Sequence, residues 1–317
     1  MKKAAAAMLL VLLLLTGCGD AGHIRDTDKP AIACIGFAQY DWVLNILGEK
    51  TDEWNVIRIN DDGADMHSYQ LVARDIVDIT TCDLLIYTGG ESEKWVEDII
   101  EGGFFEGHAY CLLEHGQVAM IEEETDNHDE EAHHGHSHTA HEEEGDEHIW
   151  LSLNQAQNFC GDITECISEI DNDNSRIYME NAEEYIEKLE MLDNEFRNTV
   201  SESSKNTVIV ADRFAFRYLF NDYGIKSFAA FDGCSAETEA SFETVAFLAD
   251  KLKEEKLGAI VVTETGDRRI AETVISTSGE KDIRIIDLDS MQSVKAHSCS
   301  YIDIMEYNLQ QLRQVLN

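Results

Sequence analysis

Basic residues are the scarce class in this chain: 24 Lys and Arg stand against 63 Asp and Glu, a formal net charge of −39. A surface of that sign repels nucleic acid and anionic membrane and draws cations. Metal-type cysteine spacing is missing too. The eight cysteines include no C-x-x-C pair and no Cys/His zinc-finger pattern, so no thiolate metal site is announced. Also absent are H-E-x-x-H, G-x-S-x-G and a phosphate-cradling glycine loop, which removes the signatures of a zinc hydrolase. The apolar run from Ala4 to Leu15 covers 12 residues, short of the roughly 20 that span a bilayer.

What is present begins with that run. Lys2 and Lys3 precede it, and Asp20, His23, Arg25 and Asp26 follow it closely, the pattern of an export signal. Leu15-Thr16-Gly17-Cys18 resembles the bacterial lipoprotein processing site, where the cysteine becomes the new amino terminus and carries lipid. The resemblance implies a signal peptide at 1–17, a lipid anchor on Cys18, a tether over 18–29, and a protein held at the outer face of the cell membrane. The other cysteines are 34, 82, 111, 160, 166, 234 and 299, an odd number that leaves at least one unpaired within the chain. Cys160 and Cys166 sit six apart on an expected helix, point to different faces and are not expected to pair.

The remaining length of about 300 residues fits two α/β lobes with mostly parallel sheets. Strands are expected at Ala31–Phe37, Asn55–Ile59, Asp83–Tyr87 and Ala109–Leu113, with helices near 40–49, 69–80 and 91–102. A second series runs through Thr207–Ala211, Lys226–Phe231, Gly258–Thr263 and Ile283–Leu288. Between them Tyr178, Ala182, Tyr185, Leu189, Leu192 and Phe196 form one apolar stripe on a helix of roughly 25 residues. It carries no glycine or proline, so it predicts a stiff interlobe connection. The division expected is an N-terminal lobe over 30–148, an interlobe helical segment over 149–204 and a C-terminal lobe over 205–317, with the site in the cleft.

The pattern breaks at about 115–147. His128, His133, His134, His136, His138 and His141 lie there among Glu122–Glu124, Asp129–Glu131 and Glu142–Glu144. This low-complexity stretch reads as a disordered loop. Imidazole suits zinc, copper and nickel, so the loop is expected to capture metal as an accessory.

Two segments carry a family resemblance. Gly63-Ala64-Asp65-Met66-His67-Ser68-Tyr69 resembles the G-x-D-P-H-x-Y segment, and Asp146-Glu147-His148-Ile149-Trp150-Leu151 the D-P-H-x-W-L segment, of zinc and manganese solute-binding proteins of ABC importers. Asp41-Trp42, Gly89-Gly90-Glu91-Ser92, the interlobe helix and Asp289-Ser290-Met291 extend the likeness over essentially the whole mature chain. It implies His67 and His148 as metal ligands and Asp289 as a carboxylate ligand. Loops beyond the carboxyl ends of parallel strands would place them in one crevice. Asp287 falls inside a strand run and is set aside.

The chain departs from the family at two places. Both D-P-H prolines are replaced, by Met66 and Glu147, and Pro30 is the only proline. Where the family usually has His or Glu two residues before A-F, this chain has Arg213, which cannot ligate a metal. Asp212 could replace that ligand, Glu237 or Glu239 could supply a carboxylate, Cys234 stands as an outside candidate, water could complete the shell, or Arg213 could bridge the cleft as a salt bridge. The function implied is capture of zinc, with manganese as the alternative, for delivery to a cognate permease and ATPase by a monomeric receptor. A cell-surface metal-buffering adhesin is a further alternative, and a zinc hydrolase would need an open coordination position beside a general base.

Overall fold

The computed structural model describes residues 26–61, 63–116, 146–231, 240–295 and 299–317. The export segment with Cys18, the six-histidine loop, and Cys234, Glu237 and Glu239 lie outside the described residues.

Four short strands give the first sheet: β1 (Ala31–Cys34), β2 (Asn55–Arg58), β3 (Leu84–Tyr87) and β4 (His108–Cys111), of which β1 and β3 are buried throughout. Its order is β2-β1-β3-β4, with every pairing parallel. The helices between are α1 (Phe37–Leu47), α2 (Ala73–Thr81) and α3 (Lys94–Glu101), followed by the turn α4 (Leu112–His115). β1 is shorter than expected because Ile35 and Gly36 already turn the chain and Phe37 opens a helix.

The second sheet contains β5 (Thr207–Arg213), β6 (Lys226–Phe231), β7 (Ala259–Thr263) and β8 (Arg284–Leu288), in the parallel order β6-β5-β7-β8. Around it lie α7 (Arg217–Asp222), α8 (Phe242–Glu254), α9 (Arg269–Ser278) and α10 (Tyr301–Val315). The register of β5 shifts between Val210 and Arg213. Such an irregularity re-aims side chains, here Asp212 and Arg213 at the carboxyl end of the sheet.

Two helices join the lobes, α5 (Leu153–Ile170) and α6 (Ser175–Glu202). All six stripe residues of α6 are buried, as the spacing predicts. Ser152 caps α5 by accepting the Gln155 N–H. One apolar cluster runs from Trp42 on α1 through Phe159 on α5 and Phe196 on α6 to Tyr301 and Leu312 on α10. The Trp42 ring lies 5.4 Å from that of Tyr301 and 6.0 Å from that of Phe159, so both lobes and the connecting helices share a core. Burial of each such side chain contributes about 1.5–3 kcal/mol. Cys34, Cys111, Cys160 and Cys166 are buried free thiols, Cys82 is also buried, and Cys299 is exposed.

Candidate metal site

His67 stands in a short 3-10 turn, Met66–Ser68, past the carboxyl end of β2. Asp65 starts that turn: its Oδ1 accepts the His67 N–H at 2.9 Å, the side-chain capping that short acids perform at helix starts. The loop leading in is pinned by Asn60, whose amide donates to Ala64 O at 2.8 Å. Gly63 has φ +79°, and a Cβ there would lie 3.1 Å from the Ser293 carbonyl of the opposite lobe. That backbone comes so close needs glycine. Arg58 adds a second tie, donating to Asp61 O and to Val294 O.

The His67 ring is oriented by Ser92, whose Oγ lies 2.6 Å from Nδ1. Ser92 follows Gly89 and Gly90, both at positive φ. A Cβ on Gly90 would strike the Glu147 side chain, whose Oε1 accepts the Ser92 N–H at 2.8 Å. The Gly-Gly turn past β3 thus sets the serine that sets the histidine.

His148 is fully buried, 0% exposed, just before the Ile149–Leu151 turn that leads into α5. Asp146 Oδ1 accepts both its backbone N–H at 2.8 Å and the Nδ1 hydrogen at 2.9 Å. A carboxylate on Nδ1 fixes the tautomer and leaves the Nε2 lone pair available. The two imidazole centroids lie 5.7 Å apart.

Both Nε2 atoms face one group, the side-chain amide of Gln292: its Nε2 is 2.8 Å from His67 Nε2 and 2.5 Å from His148 Nε2. An amide NH2 has two hydrogens, so it donates one to each unprotonated ring. Gln292 sits past β8 at the end of a built turn. Asp289 Oδ1 accepts the Met291 N–H at 2.8 Å, and Met291 takes φ +64°. Glu264 accepts Ser290 N–H and Oγ–H at 2.9 and 3.0 Å, while Trp150 Nε1 donates to Ser290 O at 3.0 Å. Asn308 bonds the backbone of Asp289 on both sides, at 2.8 Å each. Among the described residues, the polar side chains that meet the two histidines lie in loops past the ends of parallel strands or in the 146–148 entry to α5, and Trp150 in the following turn packs on His148 with ring centroids 5.2 Å apart.

The structure therefore brings His67 and His148 together. The Asp289 carboxylate serves the Met291 turn and lines a cavity of about 350 Å³ with Glu264, Asp287, Cys299, Asp303, Ile304 and Tyr307. Asp212 is spent inside the second lobe, its Oδ2 accepting Thr263 N and Oγ1 at 3.1 and 2.6 Å. Arg213 takes the salt-bridge option, reaching Asp65 Oδ2 across the cleft at 2.8 Å. Among the described residues no group of three or more His, Cys, Asp or Glu side chains is arranged to hold a metal ion; the third group at the histidines is an amide. Sequence reading missed Gln292, Ser92 and the supporting role of Asp65 and Asp146. The only trace of the last was the acid repeated two places before each histidine.

Burial and the adjacent His148 hold the His67 ring down to about 4, which keeps it neutral. Burial, with Asp289 close by, pushes Glu264 up to about 7. Burial likewise raises Glu147, the carboxyl against Ser92. Two imidazole Nε2 atoms that face one point are borderline nitrogen donors suited to a transition-metal cation.

Among curated relatives, the high-affinity zinc uptake system protein ZnuA of Bacillus subtilis is 29% identical over 311 residues, 96% of this chain and 94% of that protein. The manganese ABC transporter substrate-binding lipoprotein PsaA of Streptococcus mitis is 25% identical over 326 residues, covering 100% of this chain and 99% of that one. The solved metal-dependent lipoprotein YcdH of Bacillus subtilis superposes with a TM-score of 0.72 at 27% identity, covering 91% of this chain and 100% of the other. The profile of the periplasmic zinc-uptake complex component A family, ZnuA, matches residues 35–315, and the chain belongs to that family.

Proposed function

We propose that this protein is the extracytoplasmic substrate-binding component of a metal ABC importer, taking zinc as its cargo and passing it to a permease powered by an ATPase. The observation that carries the reading is the convergence of His67 Nε2 and His148 Nε2 on one point, with each Nδ1 already engaged, by Ser92 and by Asp146. His67 Nε2 and His148 Nε2 would hold the zinc ion in the place of the amide nitrogen. Rotation of the Gln292 amide then presents its oxygen as a third, neutral donor, and Asp289 keeps the turn in shape. Membership of the zinc-uptake family supports the transport role.

Zinc is favoured over manganese by the donors themselves, since imidazole suits zinc and manganese is better served by carboxylate and water. A manganese receptor is the second reading, supported by the likeness to PsaA. Lipid on Cys18 would tether the receptor to the membrane as a monomer, and the histidine-rich loop would collect metal near the cleft.

Calorimetric titration of metal-stripped protein lacking residues 1–18 tests this. The arms are zinc and manganese, against the otherwise intact chain, a version lacking 122–144, and the His67→Ala/His148→Ala double variant. One tight zinc site that survives loop deletion and vanishes with the histidines is the expected result. Loss of tight binding on loop deletion alone would overturn the cleft assignment, and tighter manganese than zinc would favour the second reading.

A further inference from the structure

The two histidines are held by the same device used twice. Each has an aspartate two places earlier, Asp65 and Asp146, and each aspartate spends Oδ1 on the backbone N–H of its own histidine, at 2.9 and 2.8 Å. Each Oδ2 takes an arginine from one short segment of the second lobe. Arg213 Nη2 reaches Asp65 at 2.8 Å, and Arg217 Nε reaches Asp146 at 3.4 Å. Arg213 ends β5 and Arg217 begins α7. Arg217 is steadied over the Phe214 ring, 4.9 Å from its centroid, and its neighbour Tyr218 donates to Asp146 O at 3.0 Å.

We infer that Arg213 and Arg217 are positioning residues that clamp both Asp-x-His turns from the opposite lobe, so that the aim of the two imidazoles depends on the lobes being together. Neither guanidinium can bind a cation, and both act through a carboxylate on a histidine. The Asp146 side chain is 0% exposed. Without its arginine it would be a buried charge lacking its cationic partner, an expensive state, so loss of the arginine costs most where the histidine is deepest. The Arg213–Asp65 pair is more open, with side chains 31% and 22% exposed, and it is the first to yield when the cleft parts. Opening then frees the His67 turn and afterwards the His148 turn, which gives an ordered release of cargo toward a partner that pulls the lobes apart.

The inference rests on the zinc-receptor reading, and the test separates the two. Zinc-loaded chain from residue 19 onward is mixed with excess chromogenic chelator in a stopped-flow instrument. Arg213→Gln, Arg213→Lys, Arg217→Gln and Arg217→Lys are compared with the unaltered sequence, and each metal-free protein is also melted. Each Gln variant is expected to release zinc about tenfold faster, with the Lys variants in between, because a point charge keeps the pairing but loses the planar fork. High salt should speed release in the unaltered chain more than in Arg213→Gln. A readout free of metal is nitrogen-15 NMR of the imidazoles, where Arg217→Lys should lower the share of the Nδ1–H form of His148. Release rates and ring signals equal to those of the unaltered chain in Arg213→Gln and Arg217→Lys would overturn the clamp. So would release that quickens only in step with lost melting temperature. Failure of the unaltered chain to hold zinc would instead count against the receptor reading, leaving the NMR comparison to decide the clamp.

Discussion

Arg213 meets Asp65 at 2.8 Å across the cleft, at the position where the zinc and manganese receptors it resembles usually carry a ligand. The two residues act on His67 in opposite directions: Asp65 favours the protonated ring and Arg213 opposes it. Asp65→Asn keeps an oxygen for the His67 N–H and removes the charge. His67 should then titrate still lower, and zinc affinity should fall by roughly 2–5-fold, the scale of a partly exposed ion pair. Ring C–H shifts followed by NMR against pH check this, and an upward move of His67 would contradict the pairing.

Acid should weaken the metal-free fold through His67. Its ring is held at about 4 rather than the ordinary 6.5, so between those values the unfolded chain binds more protons than the folded one. Stability from this group is therefore full above about 6.5 and lost as the pH falls toward 4. His67→Asn should lose less melting temperature over that interval. Equal acid sensitivity in the two proteins would remove the assignment.

Gln292 is the residue whose exchange should change selectivity most. Gln292→Glu places a carboxylate where the amide now faces both Nε2 atoms. A charged oxygen strengthens binding of any divalent cation, and proportionally more for manganese, which prefers such donors. The expected change is about tenfold or more for manganese and less for zinc, measured by competitive titration of the metal-free protein. An unchanged manganese-to-zinc ratio would show that Gln292 does not reach the cargo.

Asp289 offers the reverse test. If its job is the Met291 turn, Asp289→Asn retains the accepting oxygen and zinc affinity should stay within about threefold. Loss of a charged ligand would cost far more, on the order of 1.5–3 kcal/mol or 10–100-fold. Calorimetry on this single variant decides between the turn and the ligand role.

The sheets were legible because each strand carries a short apolar stretch, and β6 falls where the sequence places it, at Lys226–Phe231. The long helix was legible from its stripe, since Tyr178 to Phe196 could be buried together only on one face. His67 and His148 stood out because imidazoles within two such segments announce chemistry. Gln292 did not, for an amide has no motif of its own and its role exists only once β8 brings it beneath two loops 225 and 144 residues away in sequence. Asp289 drew notice from the family resemblance and its place past a strand end; its part in the turn closed by a left-handed Met291 has no sequence signal. Arg213 was legible as a departure that could bridge the cleft, and its target Asp65 was not, nor was Arg217, because an ion pair between lobes has no sequence spacing.

Glu93 stores a penalty beside the site that can be relieved. The residue is 2% exposed, its Oε2 accepts Thr88 N–H and Gly89 N–H at 2.6 and 2.9 Å, and its Oε1 has no hydrogen-bond partner among the described residues. Burial lifts it to about 8 from the ordinary 4.5. Between those values the folded chain keeps a proton that the unfolded chain has lost, so the cost appears as the pH rises through that window and is absent below it. Glu93→Gln keeps an acceptor for both backbone N–H groups and is neutral throughout. It should raise the melting temperature at pH 8 by several degrees, at about 2–4 °C for each kcal/mol relieved, and the gain should shrink to nearly nothing at pH 4. A gain equal at both pH values would mean that packing, not the buried charge, separates the two proteins.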